Sequence, residues 1–119
     1  MTPTVPAPLR VYIAGPYSAD DPVTVEQNVL NAEKAASVIL LRGHQVFCPH
    51  TATHRLHMLT QCVIPYERWI EFDLSIIERW ASALYVIAES PGVLREIAAA
   101  KAKPIPIYRT LDEVPEVKP

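Results

Sequence analysis

Short apolar runs alternate with longer segments of helical periodicity along this chain, and this alternation is the strongest constraint on its fold. In chain order the strand-like and helix-like segments are 9–14, 22–42, 44–48, 65–79, 83–88, 92–103 and 105–108. Strands that alternate with helices in this way form a parallel sheet covered by helices on both faces. We therefore expect one three-layer α/β domain over 9–114, with four or five parallel strands.

The composition narrows the class of protein. A chain of 119 residues is long enough for one domain and too short for two. Half of the residues are hydrophobic and a fifth are charged, which excludes a disordered chain. The net charge of −2 argues against binding to a nucleic-acid polymer, because that binding needs a basic surface. No apolar run reaches the roughly 18 residues of a transmembrane helix, so we expect no membrane association.

The two ends and the two cysteines bear on the location of the protein. Prolines are concentrated in 1–8 and 115–119, so we expect extended or poorly ordered tails outside the domain. Residues 1–8 contain no apolar stretch and do not resemble a secretory signal. Cys48 and Cys62 lack the spacing of a redox or metal motif, so we expect free thiols and a cytoplasmic protein.

The first segment with chemical potential follows the first strand and reads Tyr12-Ile13-Ala14-Gly15-Pro16-Tyr17-Ser18. Glycine at a strand end lets a ligand approach the backbone closely. The candidate binding residues of this turn are therefore Gly15, Pro16, Tyr17 and Ser18. The second glycine of a dinucleotide motif and the lysine of a phosphate-binding loop are both missing. An ordinary strand-to-loop turn is the alternative interpretation.

The second segment, Ser90-Pro91-Gly92-Val93-Leu94-Arg95-Glu96, ends a strand and starts a helix. Free N–H groups at a helix start attract anions or sugar hydroxyls, which makes Ser90 and Gly92 candidate binding residues. Glu96 near the start of that helix is a candidate catalytic carboxylate. The alternative is an acid that only complements the helix dipole. Sites in such sheets lie beyond the carboxyl ends of the strands, where both turns are expected.

The third segment is the helix that Pro65 opens. Tyr66, Trp69, Ile70 and Asp73 recur at a spacing that places them on one helical face. Trp69 is suited to stack on a flat base, and Asp73 to hydrogen-bond the edge of that base or exchange a proton with it. The alternative is an amphipathic helix with Asp73 at its solvent boundary.

Three histidines, His50, His54 and His57, fall in the long connection after the second strand. His50 and His54 have the i, i+4 spacing that suits a metal if the stretch is helical. No acid nearby completes a ligand set, and the two cysteines have no defined geometry at this level. We therefore expect no metal site, and a polar loop near the mouth of a pocket.

Taken together, the three segments resemble the nucleoside 2-deoxyribosyltransferase-like superfamily, which includes deoxyribosyltransferases and 2'-deoxynucleoside 5'-monophosphate N-hydrolases. The resemblance spans 9–108 and rests on 11–16, on Asp73, and on Ser90-x-Gly92-x-x-x-Glu96 followed by two alanines. It implies a flavodoxin-like fold, no metal or organic cofactor, and a homo-oligomer in which a neighbouring chain helps to close each pocket.

The resemblance also implies roles for three residues. Glu96 would attack the anomeric carbon of a deoxyribose, Tyr12 would hold that carboxylate in line, and Asp73 would help to protonate the leaving base. Elementary chemistry agrees, because departure of the base leaves positive charge on the sugar that a carboxylate stabilises and traps. A second acid must then protonate the base, and burial against Trp69 is expected to raise the pKa of Asp73.

Two enzymatic hypotheses and one non-enzymatic hypothesis follow. Transferases of the family commonly carry an acid six residues before the glutamate, whereas Ser90 resembles the monophosphate hydrolases. The first loop contains Asp20 and Asp21 without a cation, which favours an uncharged nucleoside unless Arg95 points into the pocket. We expect a deoxyribosyltransferase that acts on nucleosides and free bases in nucleotide salvage. The alternatives are a nucleoside monophosphate N-hydrolase, with Ser18 and Ser90 on the phosphate, and a non-catalytic nucleotide-binding domain.

Overall fold

A computed structural model describes residues 3–119, and within them the expected alternation of strands and helices is present. The elements are β1 (Thr4–Val5), β2 (Arg10–Ala14), α1 (Pro22–Leu41), β3 (Gln45–Phe47), α2 (Pro49–Leu59), α3 (Tyr66–Arg79), β4 (Ala83–Val86), α4 (Pro91–Ala102), β5 (Ile107–Tyr108), a 3₁₀ turn (Leu111–Glu113) and β6 (Glu116–Val117).

The central sheet has four strands in the order β3-β2-β4-β5, and all of its pairs are parallel. Tyr12 on β2 lies in register with Phe47 on β3 and with Leu84 on β4. The chain order therefore reverses between β2 and β4, and their carboxyl ends open at a switch point where ligands bind in such folds. The expected α/β class is confirmed, and the arrangement is compatible with a flavodoxin-like three-layer fold.

Alternate residues of β2 face opposite layers. Val11 and Ile13 pack into a core shared with α1, whereas Tyr12 and Ala14 pack into a second core beneath α3 and α4. All four are completely buried, as expected for a central parallel strand. The second core fixes the position of the Tyr12 ring, because both of its flanking strands and the helices above it contribute apolar side chains.

Helix α1 begins and ends at the residues that the sequence indicated. The Asp21 side chain caps the helix by accepting from the Thr24 backbone N–H at 2.8 Å, with Pro22 in the first turn. Gly43 follows the last turn with φ +99°, a conformation that side chains rarely adopt. Within 3–119, no helix is both long and apolar enough to cross a membrane.

The connection that carries His50, His54 and His57 is helical, so the expected polar loop was wrong. Only a short helix over 54–59 is suggested by the sequence pattern, but helix α2 runs over Pro49–Leu59, from the proline that ends the preceding strand. Proline is tolerated in the first turn because no backbone N–H is needed there. The additional turn places His50 and Thr53 at the buried end of α2, beside the loop that follows β2.

The described parts of the two tails pair with each other. Strands β1 and β6 form a parallel two-stranded sheet, with Thr4 opposite Glu116. His44 connects this sheet to the domain, because its Nδ1 accepts from the Leu9 N–H at 3.0 Å and its Nε2–H donates to the Pro115 carbonyl at 2.5 Å. The tail sheet therefore lies near the amino ends of β2 and β3.

Candidate active site

A pocket of about 850 Å³ opens beyond the carboxyl ends of β2 and β4. Its walls come from the loop after β2, from α2, from the exposed side of α3 and from the start of α4. Among its lining residues are the seven candidate binding residues and two of the three candidate catalytic residues: Gly15, Pro16, Tyr17, Ser18, Trp69, Ser90, Gly92, Asp73 and Glu96. Three separate segments of the sequence therefore meet at one cavity whose size suits a small molecule.

Glu96 lies on the inner face of α4, with 5 % of its surface exposed. Ser90 caps the helix by accepting from the Val93 N–H at 3.2 Å, and Val93, Ile97 and Ala100 anchor the same face in the core. The hydroxyl of Tyr12 donates a hydrogen bond to Glu96 Oε2. Tyr12 is not itself a lining residue and has no exposed surface, so it acts on the pocket through Glu96.

Burial sets the protonation of the two pocket carboxyls. Removal from water raises the pKa of Glu96 to about 8, the hydrogen bond from Tyr12 opposes this rise, and the Asp73 charge adds to it. Removal from water also raises the pKa of Asp73 to about 7, again opposed by Tyr12. The expected rise in the pKa of Asp73 is thus present, and near neutral pH the pair retains at least one proton.

Helix α3 presents Tyr66, Trp69, Ile70 and Asp73 to the pocket, so these residues share one face as the spacing predicted. Trp69 Nε1 and Asp73 Oδ1 are buried and have no hydrogen-bond partner. Buried polar atoms nearly always have one, and leaving one unpaired costs roughly 1–3 kcal/mol. Both unpaired atoms therefore belong to half-buried residues on the face of α3 that lines the pocket.

Two histidines of α2, His50 and His54, form hydrogen bonds with the neighbouring elements of the pocket wall. His54 donates from Nε2 to Glu26 Oε1 at 2.8 Å, and its Nδ1 accepts from the Tyr17 hydroxyl at 2.8 Å. His50 donates from Nε2 to the Pro16 carbonyl at 3.0 Å. Over 3–119, no group of three or more His, Cys, Asp or Glu is arranged to hold a metal. Both histidines instead anchor the loop after β2 to α2.

The charged side chains that line the pocket are acidic. It contains five carboxyl groups and neither lysine nor arginine, the acids being Asp20, Asp21, Glu26, Asp73 and Glu96. Arg95 does not supply the missing cation, because it pairs with Glu67 at 2.7 and 3.1 Å on the outer surface. It precedes Glu96 by one residue, which turns it about 100° away around the helix. The suggestion that Arg95 compensates the acidic loop is therefore wrong.

Several lining residues were not singled out by sequence reasoning. Glu26 and Thr53 come from helical segments without a motif, and they reach the pocket because α1 and α2 pack together. The i, i+4 pair His50 and His54 was the available signal for this wall. It indicated a shared helical face correctly, but it could not show that the face turns toward Tyr17.

Comparison of the chain with protein-family models and with curated proteins yields no match.

The raised pKa of Glu96 makes the free energy of unfolding depend on pH. The carboxyl of Glu96 titrates near 4.5 in the unfolded chain and near 8 in the folded protein. The folded state thus binds the proton more tightly, and the free energy of unfolding falls as the pH rises from 4.5 to 8. Glutamine keeps an acceptor for Tyr12 without this titration, so Glu96→Gln should stabilise the protein at pH 8 by at least about 1 kcal/mol.

Urea unfolding of the wild type and the Glu96→Gln variant at pH 5 and pH 8 measures this effect. The advantage of the variant should be small at pH 5 and larger at pH 8. The exposed Glu89→Gln variant serves as the control, and its stability difference from the wild type should hardly change between the two pH values. An equal difference for Glu96→Gln at both pH values would contradict the assigned burial of that carboxyl.

Proposed function

We propose that this protein is a nucleoside 2-deoxyribosyltransferase, which cleaves the N-glycosidic bond of a 2'-deoxynucleoside and transfers the sugar to another base. The observation that carries the proposal is the buried Glu96 carboxyl, oriented by Tyr12 and placed with Asp73 at one pocket. A positioned nucleophile beside a second carboxyl able to hold a proton is the arrangement that this bond cleavage needs.

In the first half of the proposed reaction, a Glu96 oxygen bonds to C1' of the deoxyribose while the bond from C1' to the base nitrogen breaks. The electron pair of that bond leaves with the base, and Asp73 gives its proton to the base. The products are a glycosyl ester on Glu96, an Asp73 carboxylate and a neutral base. The Tyr12 hydroxyl donates to the carboxyl that reacts, which limits its rotation before the substrate arrives.

In the second half, a nitrogen of an incoming base attacks C1' and the ester bond breaks, which returns the carboxylate to Glu96. The attacking nitrogen loses its proton to Asp73, so the pair regains its starting state. Water can take the place of the incoming base as a slower acceptor and yields free deoxyribose. Each half therefore needs one proton on the pair, and the raised pKa of both groups keeps one there near neutral pH. Because the pKa of Glu96 is the higher of the two in the free protein, the reactive state with the proton on Asp73 is the less populated one.

The acidic lining supports an uncharged nucleoside as the substrate. A 5'-phosphate would enter a pocket with five carboxyl groups and no lysine or arginine, and it would be repelled. The alternative, a nucleoside 5'-monophosphate N-hydrolase, is supported by Ser90 and by the Gly92 N–H at the start of α4, where the Val93 N–H already donates to Ser90. Ser18 on the facing loop would complete that phosphate contact.

A paired assay tests the proposal. The protein is incubated with a 2'-deoxynucleoside and a second free base, and in parallel with 2'-deoxynucleoside 5'-monophosphates alone. Chromatography should detect the exchanged nucleoside in the first reaction and little base release in the second. Base release from the monophosphate alone would reverse the order of the two enzymes. Binding of nucleosides without turnover of either substrate would favour the non-catalytic domain.

The proposal extends to assembly and location. Apolar side chains are exposed near the end of α2 and in the loop that follows it, at Leu56, Met58, Leu59 and Val63. Such a cluster is typical of an interface, so we propose a homo-oligomer in which this region is covered. The unpaired thiols of Cys48 and Cys62 are compatible with the cytoplasmic location that the proposal assigns.

A further inference from the structure

His57 lies between two aromatic rings at the pocket. Its imidazole stacks on Trp69 with ring centroids 3.9 Å apart and planes 27° apart. On the other side, the Tyr17 ring lies 4.8 Å away with planes 32° apart. Burial lowers the pKa of His57, so the ring is uncharged at neutral pH. A flat, uncharged nitrogen heterocycle therefore occupies a slot with aromatic walls, which is the environment that stacking of a nucleobase requires.

The face of α3 on which His57 stacks also carries two polar atoms without hydrogen-bond partners. Trp69 Nε1 is a buried donor without an acceptor, and one turn later Asp73 Oδ1 is a buried oxygen without a partner. His57 stacks on the indole but makes no hydrogen bond to its N–H. A nucleobase in the place of His57 would keep the stacking contact, and its ring nitrogens and carbonyl oxygens would also supply acceptors.

The part of α2 that carries His57 lies outside the core of its own chain. The buried residues of this helix are Pro49, His50 and Thr53, all in its first half. Met58 and Leu59 beside His57 are 60 and 71 % exposed, so the last turn makes few contacts with the core. Displacement of His57 therefore does not require the core to open.

We propose that His57 occupies the nucleobase position between Tyr17 and Trp69 and is displaced when a base binds. The inference rests on the proposed function for the identity of the ligand as a nucleobase. His57 then acts as an internal competitor, and the apparent affinity for a base is reduced by the fraction of molecules in which His57 fills the slot.

Calorimetric titration of adenine, hypoxanthine, cytosine and thymine tests the inference. Truncation in the His57→Ala variant should tighten binding of the best of these bases about tenfold, because the competitor is removed. Arg55→Ala, an exposed change on the same helix outside the pocket and outside the exposed apolar cluster, is the matched control and should stay within about twofold of the wild type. His57→Phe keeps a flat ring in the slot and should bind no more tightly than the wild type.

Weaker binding to His57→Ala than to the wild type would overturn the inference, because His57 would then be part of the binding wall. Failure of all four bases to bind any variant would overturn it as well. If the alanine variant does not fold, the phenylalanine variant tests the inference alone, and tighter binding of a base to it than to the wild type would overturn the inference. The base-exchange assay on the wild type tests the proposed function separately. If the wild type exchanges bases but His57→Ala does not bind a base more tightly, the inference about His57 is wrong and the proposed function stands.

Discussion

Replacing Glu96 by glutamine is expected to lower kcat/KM for base exchange by at least about 10³-fold, since an amide cannot form the glycosyl ester. The side chain keeps its size and its acceptor for Tyr12, so the fold and the pocket should persist. Binding of a deoxynucleoside, measured by calorimetry, should therefore change far less than turnover.

Mass spectrometry of acid-quenched protein separates the nucleophile from a residue that only stabilises charge. Wild-type protein incubated with a deoxynucleoside and no acceptor base should carry one deoxyribosyl group, and the Glu96→Gln variant should carry none. Glu89→Gln is the matched control. Glu89 lies between β4 and α4, the helix that carries Glu96, but it pairs with Arg109 at the surface at 3.0 Å. A variant at position 96 that keeps more than about a tenth of the wild-type rate is incompatible with covalent catalysis.

Replacing Asp73 by asparagine is expected to slow cleavage of ordinary deoxynucleosides by about 10²–10³-fold, because the leaving base no longer receives a proton. The loss should depend on the leaving group. In N7-methyl-2'-deoxyguanosine the base already carries a positive charge and leaves as a neutral molecule, so the same variant should cleave it at a rate within about tenfold of the wild type. Glu71→Gln, an exposed change on the same helix, is the control.

The pH dependence of kcat/KM provides a second readout for Asp73. In the wild type, both carboxyls hold a proton well below pH 7 and neither does well above pH 8, so the profile should be bell-shaped with its maximum between these values. In Asp73→Asn only Glu96 titrates, and activity should rise with pH to a plateau. Equal losses for both leaving groups and an unchanged bell would indicate that Asp73 only supports the structure.

The sequence predicted those features that depend on local pattern. The apolar run before Gly15 predicted a buried strand of the sheet, and the spacing of Trp69 and Asp73 predicted a shared face of α3. Both patterns involve residues that are close in the chain. Helix α1 begins at Pro22, as the segment 22–42 predicted, because proline can occupy a first turn without losing a hydrogen bond. The meeting of Tyr12 with Glu96 came from the family resemblance, and the structure brings the two together.

Other features depend on contacts between distant segments and left no local pattern. The two-residue strands β1 and β6 are too short for a periodicity, and proline enrichment indicated only extended or poorly ordered tails, not the paired strands that form. Arg95 points away from the pocket because it is one residue from Glu96 along α4 and because it pairs with Glu67 on α3. The stacking of His57 on Trp69 joins two helices across a pocket, so the sequence indicated Trp69 as a base-stacking residue without showing that its face is covered.

The pairing of β1 with β6 has a practical side. Both described termini sit by the amino ends of β2 and β3, clamped through His44, whereas the cavity opens at the opposite rim of the central sheet. An affinity tag, a surface anchor or a fused partner joined at either end would project away from the entrance. Immobilised preparations should accordingly leave that entrance unobstructed, whichever end is tethered.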